Sequence, residues 1–488
     1  MDKDLNKLGR LEDATRAAST NLIAPGLSLL FLALAGIVAA AIFGNQPNVM
    51  IIIVASVIGG YMALNIGAND VANNVGPAVG SKALTMLGAL AIAAIFECAG
   101  ALLAGGDVVK TIAKGIIDPA LVPNSKIFIW AMMAALLSSA LWVNLATYIG
   151  APVSTTHSVV GGVLGGGIAA VGFSAVNWVT MSAIAASWVI SPLLGGIIAA
   201  LFLAFIKIFI IYQQDKLSAA RRWVPLLVAI MFSAFSAYLM LKGLKKIWRP
   251  EVELVVSLSV IIFIATFAIM RPVIKYQSKG LENRNQSLRR LFHIPLICSA
   301  ALLSFAHGAN DVANAVGPLA AIIHAVESGD ISVKVEIPTW VMLIGGFGIS
   351  LGLFLYGPKL IRTVGEKITK MNPMRAFCVA LAAAITVILA SAFGLPVSST
   401  HITVGAVFGV GFFREFYVSR SQRRKDYIKV KKPKATPEDA KLIAQEQRRR
   451  LLVRRSHFMV IITAWIITVP ATAILSGLIF TFLNFVVH

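Results

Sequence analysis

Apolar runs of about the length needed to cross a bilayer recur along this chain, and they restrict its fold more than any other feature. The clear ones cover 23–43, 83–105, 127–148, 179–212, 223–241, 252–270, 338–357, 375–394 and 458–487. A helix needs roughly 20 residues to cross the hydrocarbon. Lipid offers an open backbone no partner, so only helices and closed barrels span it. The runs are rich in Gly and Ala without two-residue alternation, which excludes a barrel. Of 488 residues, 58% are hydrophobic and 13% charged, about half the charged share of a soluble domain. With the interrupted segments counted, the chain reads as an all-α polytopic membrane protein of about 10–12 transmembrane helices.

The first run is too long for a signal-peptide core, so residues 21–44 read as a mature helix. Cys98, Cys298 and Cys378 lie singly in apolar segments, with neither metal-ligand nor disulfide spacing, and read as packing residues. Net charge is +21, and residues 414–455 alone hold fifteen Lys or Arg against five acids. That stretch has no folded aromatic platform for nucleic acid. Such basic loops stay on the cytoplasmic side, so 414–457 and 271–290 are expected there, with weak attraction to anionic headgroups. The four bases of KGLKKIWR (242–249) conflict with that assignment, since they lie one helix away from both loops.

GANDVANNVGP at 67–77 sits within membrane-like sequence and returns as GANDVANAVGP at 308–318, ten of eleven letters unchanged. PVSTTHSVVGGVLGGG from Pro152 returns as PVSSTHITVGAVFGVG from Pro396, and VVKTIAKGI (108–116) resembles LIRTVGEKI (360–368). Three matches in the same order imply an internal duplication. The expected division is a polar tail at 1–20, a first membrane repeat at 21–212 and a linker with a helical hairpin and basic loop at 213–290. A second repeat at 291–413, the basic loop at 414–457 and a C-terminal transmembrane helix at 458–488 follow. Duplicated halves with paired breaks point to a secondary transporter.

Gly67 and Gly308 open the first motif pair and Pro77 and Pro318 close it, so helix breaks at membrane depth are expected there. A break exposes N–H groups and a partial positive charge where a half-helix starts, which suits an anion. In the second pair, Ser154, Thr155 and Thr156, and Ser398, Ser399 and Thr400, follow a proline near an expected helix start. A lone Ser-Thr pair in a membrane helix ordinarily bonds its own backbone or a neighbouring helix. A buried acid costs at least about 2.5–3.5 kcal/mol at mid-helix, so Asp70 and Asp311 in identical contexts point to function. Glu97 is a further lone acid in an apolar run, with packing and coupling both open. For His157 and His401, packing and proton handling stay open. His307 has no counterpart, since Ile66 holds that place in the first half.

The four motifs offer hydroxyls, amides and two carboxylates but no Arg or Lys. Donors suit an oxyanion that the carboxylates would repel unless cations or protons bind with it. Each ligand would then make the other's site favourable, which couples them reciprocally. Phosphate keeps a P–OH that can donate to a carboxylate and sulfate does not, which favours phosphate.

GANDVANNVGP, GANDVANAVGP, PVSTTHSVVG and PVSSTHITVG resemble the duplicated signatures of the inorganic phosphate transporter (PiT) family, over about 50–120, 127–170, 291–325 and 338–413. The resemblance implies two inverted repeats with broken helices or re-entrant hairpins, alternating access, a homodimer and residence in a cell membrane (the inner membrane in bacteria). It implies symport of inorganic phosphate with Na+ or H+, with no other cofactor and no nucleic acid partner. It places Asn69, Asp70, Asn73, Asn310, Asp311 and Asn314 around phosphate and cations. It adds Ser154, Thr155, Thr156, Ser398, Ser399 and Thr400, and gives Glu97 an acidic position found in the family. One departure leaves the cation open. Animal sodium-coupled members carry an acid shortly before their second PVSTTH-like motif, where this chain has Ala380. The first motif is nearer the sodium-type signature. Rival readings are a sulfate permease, an anion channel and an intramembrane enzyme using Ser154 and His157.

Overall fold

The computed structural model describes residues 2–151, 153–243, 245, 248–329, 337–367, 371–420 and 455–487. Among these the chain is helical. The first half has α1 (Asp2–Phe43), α2 (Val49–Gly80), α3 (Met86–Ala104), α4 (Gly106–Lys110), α5 (Ser125–Ile149), α6 (Thr155–Val171) and α7 (Trp178–Ile206). The hairpin α8 (Lys216–Tyr238) and α9 (Val252–Gln277) and the short α10 (Asn285–Leu291) follow. Then come α11 (His293–Ser328), α12 (Thr339–Lys367), α13 (Pro373–Ala392), α14 (Ser399–Arg420) and α15 (Arg455–Val487). Among the described residues, eleven helices are long and apolar enough to cross a membrane, whereas α6 has only 17 residues. The expected all-α polytopic architecture holds.

Local chemistry explains several helix starts. Thr85, Asn124, Asn177, Asp215 and Asn372 each precede a helix and accept a first-turn backbone N–H, which satisfies a donor that has no intrahelical partner.

The motif helices pack across the duplication. α2 lies on α12 while α11 lies on α3, and α6 lies on α15 while α14 lies on α7. Glycine makes these crossings close. A Cβ at Gly67 would overlap the carbonyl of Ile349, one at Gly352 that of Leu64, one at Gly308 that of Glu97, and one at Gly100 that of Phe305. Gly165 meets Ala473, and Gly405 meets Pro192, in the same way. Lipid gives no hydrophobic drive for helices to associate, so tight backbone approach supplies the van der Waals contact.

This geometry corrects one expectation. α2 runs unbroken through Gly67, and α11 through Gly308, with Pro77 and Pro318 inside their helices. The glycines serve close packing against Ile349 and Glu97 rather than interruption. Breaks occur instead at the second motif pair. α5 stops at a left-handed Gly150 (φ 73°), and α13 is followed by a left-handed Gly394 (φ 68°). Ser154 and Ser398 then start the next helices. Pro152 lies outside the described residues.

Two smaller differences concern the polar segments. Residues 2–20, expected as a tail, begin α1, and residues 271–277, expected in a basic loop, end α9. Of the basic stretch 414–457, residues 421–454 lie outside the described residues, and the flanks continue α14 and begin α15.

Candidate functional site

On α2, Asp70 and Asn73 share one helical face with Asn69 turned to its side, as do Asp311 and Asn314 on α11 with Asn310. The starts of α6 and α14 bring hydroxyls to both. The polar contacts repeat between the halves. Asn69 Nδ2 donates to Thr147 Oγ1 at 2.9 Å, and Asn310 Nδ2 to Ser391 Oγ at 2.9 Å. Thr155 Oγ1 donates to Asp70 Oδ2 at 2.9 Å, and Ser399 Oγ to Asp311 Oδ2 at 3.0 Å.

Other bonds cross from one half to the other. Asn73 Nδ2 donates to Thr400 Oγ1 at 2.8 Å, and Thr400 Oγ1 donates on to Asp70 Oδ1 at 2.9 Å. Asn314 Nδ2 lies 3.1 Å from Thr156 Oγ1 and 3.3 Å from Thr155 Oγ1. Asp70 and Asp311, each 1% exposed, thus sit in one buried ring closed by both copies.

His307 stands between the acids. Its Nε2 lies 2.9 Å from Asp311 Oδ2 and 3.7 Å from Asp70 Oδ2, and its Nδ1 lies 3.3 Å from Glu97 Oε1. Asp70, His307 and Asp311 each offer an atom within 4.8 Å of the others. Glu97 is set behind the imidazole and accepts Asn74 Nδ2 at 2.7 Å. Asp311 Oδ1, Asn314 Oδ1 and Glu97 Oε2 are buried and accept no hydrogen bond from the described residues. Unlike donors, these three oxygens are suited to a cation.

Ser154 Oγ accepts the backbone N–H of His157 at 3.1 Å, and Ser398 Oγ that of His401 at 3.3 Å. Both are helix N-caps. No geometry for a Ser154–His157 nucleophile follows from such a contact. The two imidazoles instead pack edge to face, with centroids 4.4 Å apart, and His157 lies against Trp188 at 3.8 Å.

Comparison with known proteins decides the family. The profile described as "Phosphate transporter family" matches residues 66–476. The chain belongs to the phosphate transporter family. A Helicobacter pylori (strain J99) protein named "Putative phosphate permease" is 46% identical, with 99% of each chain covered. A Chlamydia muridarum protein of the same name is 40% identical over 77% of this chain and 93% of its own. A solved structure described as "The sodium-dependent phosphate transporter" matches with a TM-score of 0.79 and 34% identity, covering 90% of this chain and 100% of that one. Membership makes the chain a transporter rather than an enzyme, and its eleven apolar helices make it a multi-pass membrane protein.

Within this family member, the amides, acids and hydroxyl residues assigned to the site from the sequence lie in or beside the ring, whereas His157 and His401 pack against each other and Trp188. Asn69 and Asn310 face outward from it to Thr147 and Ser391, and Glu97 stands behind His307. Sequence reasoning noted His307 only for its missing counterpart and gave no site role to it, Asn74, Thr147 or Ser391. One signal was available for His307: it precedes Asp311 by four residues, so the two share a helix face.

Proposed function

We propose that this chain is a secondary symporter that carries inorganic phosphate with Na+ by alternating access. The arrangement that carries this reading is the ring itself, in which Thr155 and Thr400, from different halves, donate to Asp70 while His307 spans Asp70 and Asp311. Three acids surround one imidazole with no Lys or Arg among the ring residues. Burying such charge without compensation costs several kcal/mol per ion, so an anion enters only with cations. The carboxylates, together with the unpartnered oxygens of Asp311 and Asn314, suit a hard cation.

The anion's donors would come from the starts of α6 and α14. Their first-turn N–H groups have no carbonyl partner within the helix and carry the positive end of its dipole. Thr155, Thr156, Ser399 and Thr400 stand at those starts, with Ser154 and Ser398 as caps. In the bound state the hydroxyls that now donate to Asp70 and Asp311 would turn to phosphate, and the cations would take over neutralising the acids. Each ligand thereby improves the other's site. The exchanged pairing of α2 with α12 and α11 with α3 supports two inverted repeats that rock about this centre. Residence in the inner membrane, a cytoplasmic 414–457 loop and a homodimer belong to the same proposal.

One observation favours a second reading of the cation. His307, wedged among Asp70, Asp311 and Glu97, could carry a coupling proton in place of a sodium ion. Uptake of labelled phosphate into proteoliposomes separates the two. A sodium gradient at equal pH should drive accumulation above equilibrium. Accumulation with a proton gradient alone would transfer the role to H+, and the absence of accumulation with either would refute coupling. Competition by excess sulfate should be weak, and strong competition would favour a broader oxyanion site.

A further inference from the structure

The segments that lead into the two hydroxyl clusters begin alike. Ala151 N returns to Ala146 O at 2.8 Å, and Leu395 N to Ala390 O at 3.0 Å, each beside its left-handed glycine. Beyond that point they differ.

Five hydrogen bonds hold residues 394–397. Thr111 Oγ1 donates to Gly394 O at 2.7 Å, Asn310 Nδ2 to Leu395 O at 3.1 Å and Trp188 Nε1 to Pro396 O at 3.3 Å. Val397 N donates to Asn310 Oδ1 at 3.2 Å, and Thr156 Oγ1 to Val397 O at 2.9 Å. Thr111, Thr156 and Trp188 belong to the first half of the chain, so this strap ties the halves together. Pro152 of the matching stretch lies outside the described residues. Among those described, Asn69 donates to Thr147, Thr400 (the match of Thr156) donates to Asp70 rather than to the stretch, and Gly150, Ala151 and Val153 take part in no bond across the halves.

Burial differs at the glycines alone: Gly394 is buried and Gly150 exposed, whereas Ala151 and Leu395 are both half-buried and Val153 and Val397 both buried. A cavity of about 700 Å³ opens beside Gly150, and its walls include Asn65, Asn144, Thr147 and Lys359. Asn144 Nδ2 bonds Asn65 Oδ1 at 3.1 Å, and Thr147 bonds Asn69, the neighbour of Asp70. Two separate polar pairs, Asn144–Asn65 and Thr147–Asn69, thus stand at a wall otherwise built mainly of apolar side chains such as Leu29, Leu32 and Leu355, the second of them at the edge of the acid ring. Asn65 and Asn144 have no polar counterparts, since Ala306 and Ile388 hold the matching positions.

We propose that the 394–397 strap is a closed gate, that the cavity beside Gly150 is the open path for the oxyanion, and that transport exchanges the two. In the exchanged state Asn69 takes the bonds to Ala151 O and Val153 N that Asn310 now makes to Leu395 O and Val397 N. Asn69 and Asn310 are positioning residues for the gates. This inference rests on the alternating-access reading above and adds which segments move and which side is open.

Thiol labelling tests it without phosphate. Cys98, Cys298 and Cys378 are replaced by Ala, and A151C or L395C is added singly. Vesicles of each orientation are treated with a membrane-impermeant methanethiosulfonate, after size-exclusion chromatography has checked folding. A151C should react about tenfold faster from one face than from the other, and L395C slowly from both. T111V and W188F each remove a strap bond and leave the acids untouched. Either should speed L395C from the face opposite to A151C by about threefold or more, and slow A151C only by the smaller fraction of molecules transferred, as loss of one net hydrogen bond allows.

Equal reactivity at the two positions, labelling of both from the same face, or a gain at L395C with no loss at A151C would each overturn the proposal. These rates do not depend on the substrate. A failed labelling result therefore leaves phosphate uptake standing, and a failed uptake result leaves the gates standing.

Discussion

The two crossings that carry the first motifs share one backbone geometry and differ in charge. On α2, Gly67 seats against Ile349, with Ile66 before it and both isoleucines buried. On α11, Gly308 seats against Glu97, with His307 before it. Asn74 completes the polar crossing through Glu97, and its counterpart is Ala315. A triad of Ile66, Ile349 and Ala315 thus matches one of His307, Glu97 and Asn74. Duplication preserved the ring of amides, acids and hydroxyls, while a third acid and an imidazole sit on one side only. The fold does not need those charges, because the apolar crossing is equally close. Their presence on one side points to coupling.

The largest effect should come from the acids, which both halves keep. Asp70→Asn and Asp311→Asn should each lower sodium-driven phosphate uptake by at least about a hundredfold, in keeping with about 3–5 kcal/mol for breaking a buried charged contact. Protein inserted in the membrane is measured in parallel. Near-normal uptake in Asp70→Asn beside a silent Asp311→Asn would show that the halves have diverged at the acids as well as around them.

Converting the polar crossing into the apolar one is the next test. His307→Ile alone strands Glu97 and Asp311 and should cost about 3–5 kcal/mol of stability. Replacing the whole triad, as H307I/E97I/N74A, copies the other crossing and should recover most of that loss, since apolar residues often replace buried ion pairs without penalty. Thermal unfolding followed by size-exclusion chromatography reads stability, and proteoliposome uptake reads function. Recovery of both together would make the triad a packing device, whereas recovery of stability alone assigns it to coupling.

The sequence made much of this legible. Apolar runs located nine spans, and the repeated GANDVAN and PVS(T/S)TH motifs brought Asp70, Asp311 and both hydroxyl clusters to one place. The purpose of Gly67 and Gly308 was not legible, because a glycine that admits a neighbouring carbonyl and one that ends a helix look the same along the chain. His307 escaped because duplication was the guide to function, and a residue present in one copy carries no such mark. The strap at 394–397 depends on bonds between residues as far apart as Thr111 and Gly394, and no local pattern announces those.

The close approach itself predicts symmetry. Gly67→Ala and Gly308→Ala would each press a methyl group on a backbone carbonyl, of Ile349 and Glu97 respectively. Backbone cannot swing aside like a flexible side chain, so each should cost about 1–3 kcal/mol. The two losses in melting temperature should be similar despite the difference in charge. A markedly larger loss at Gly308 would mean that shifting Glu97 also breaks its contact with His307.

The smallest effect separates two roles of one hydroxyl. Ser154 and Ser398 cap α6 and α14 through Oγ, which accepts a backbone N–H and leaves the hydroxyl proton available to an anion. Alanine removes both roles, costing about 0.5–2 kcal/mol as a cap, whereas glycine caps nearly as well as serine. If the hydroxyls serve only as caps, Ser154→Gly should keep the phosphate KM and Ser154→Ala should raise it. If they also donate to phosphate, both variants should raise KM by about tenfold, the lower range for a bond to a charged group. We expect the second pattern at both serines, with the larger rise at Ser154, because its segment borders the open cavity and Ser398 follows a segment already strapped in place. Equal and unchanged KM values for both glycine variants would remove the two hydroxyls from the binding site and leave anion recognition to Thr155, Thr156, Ser399, Thr400 and the helix starts.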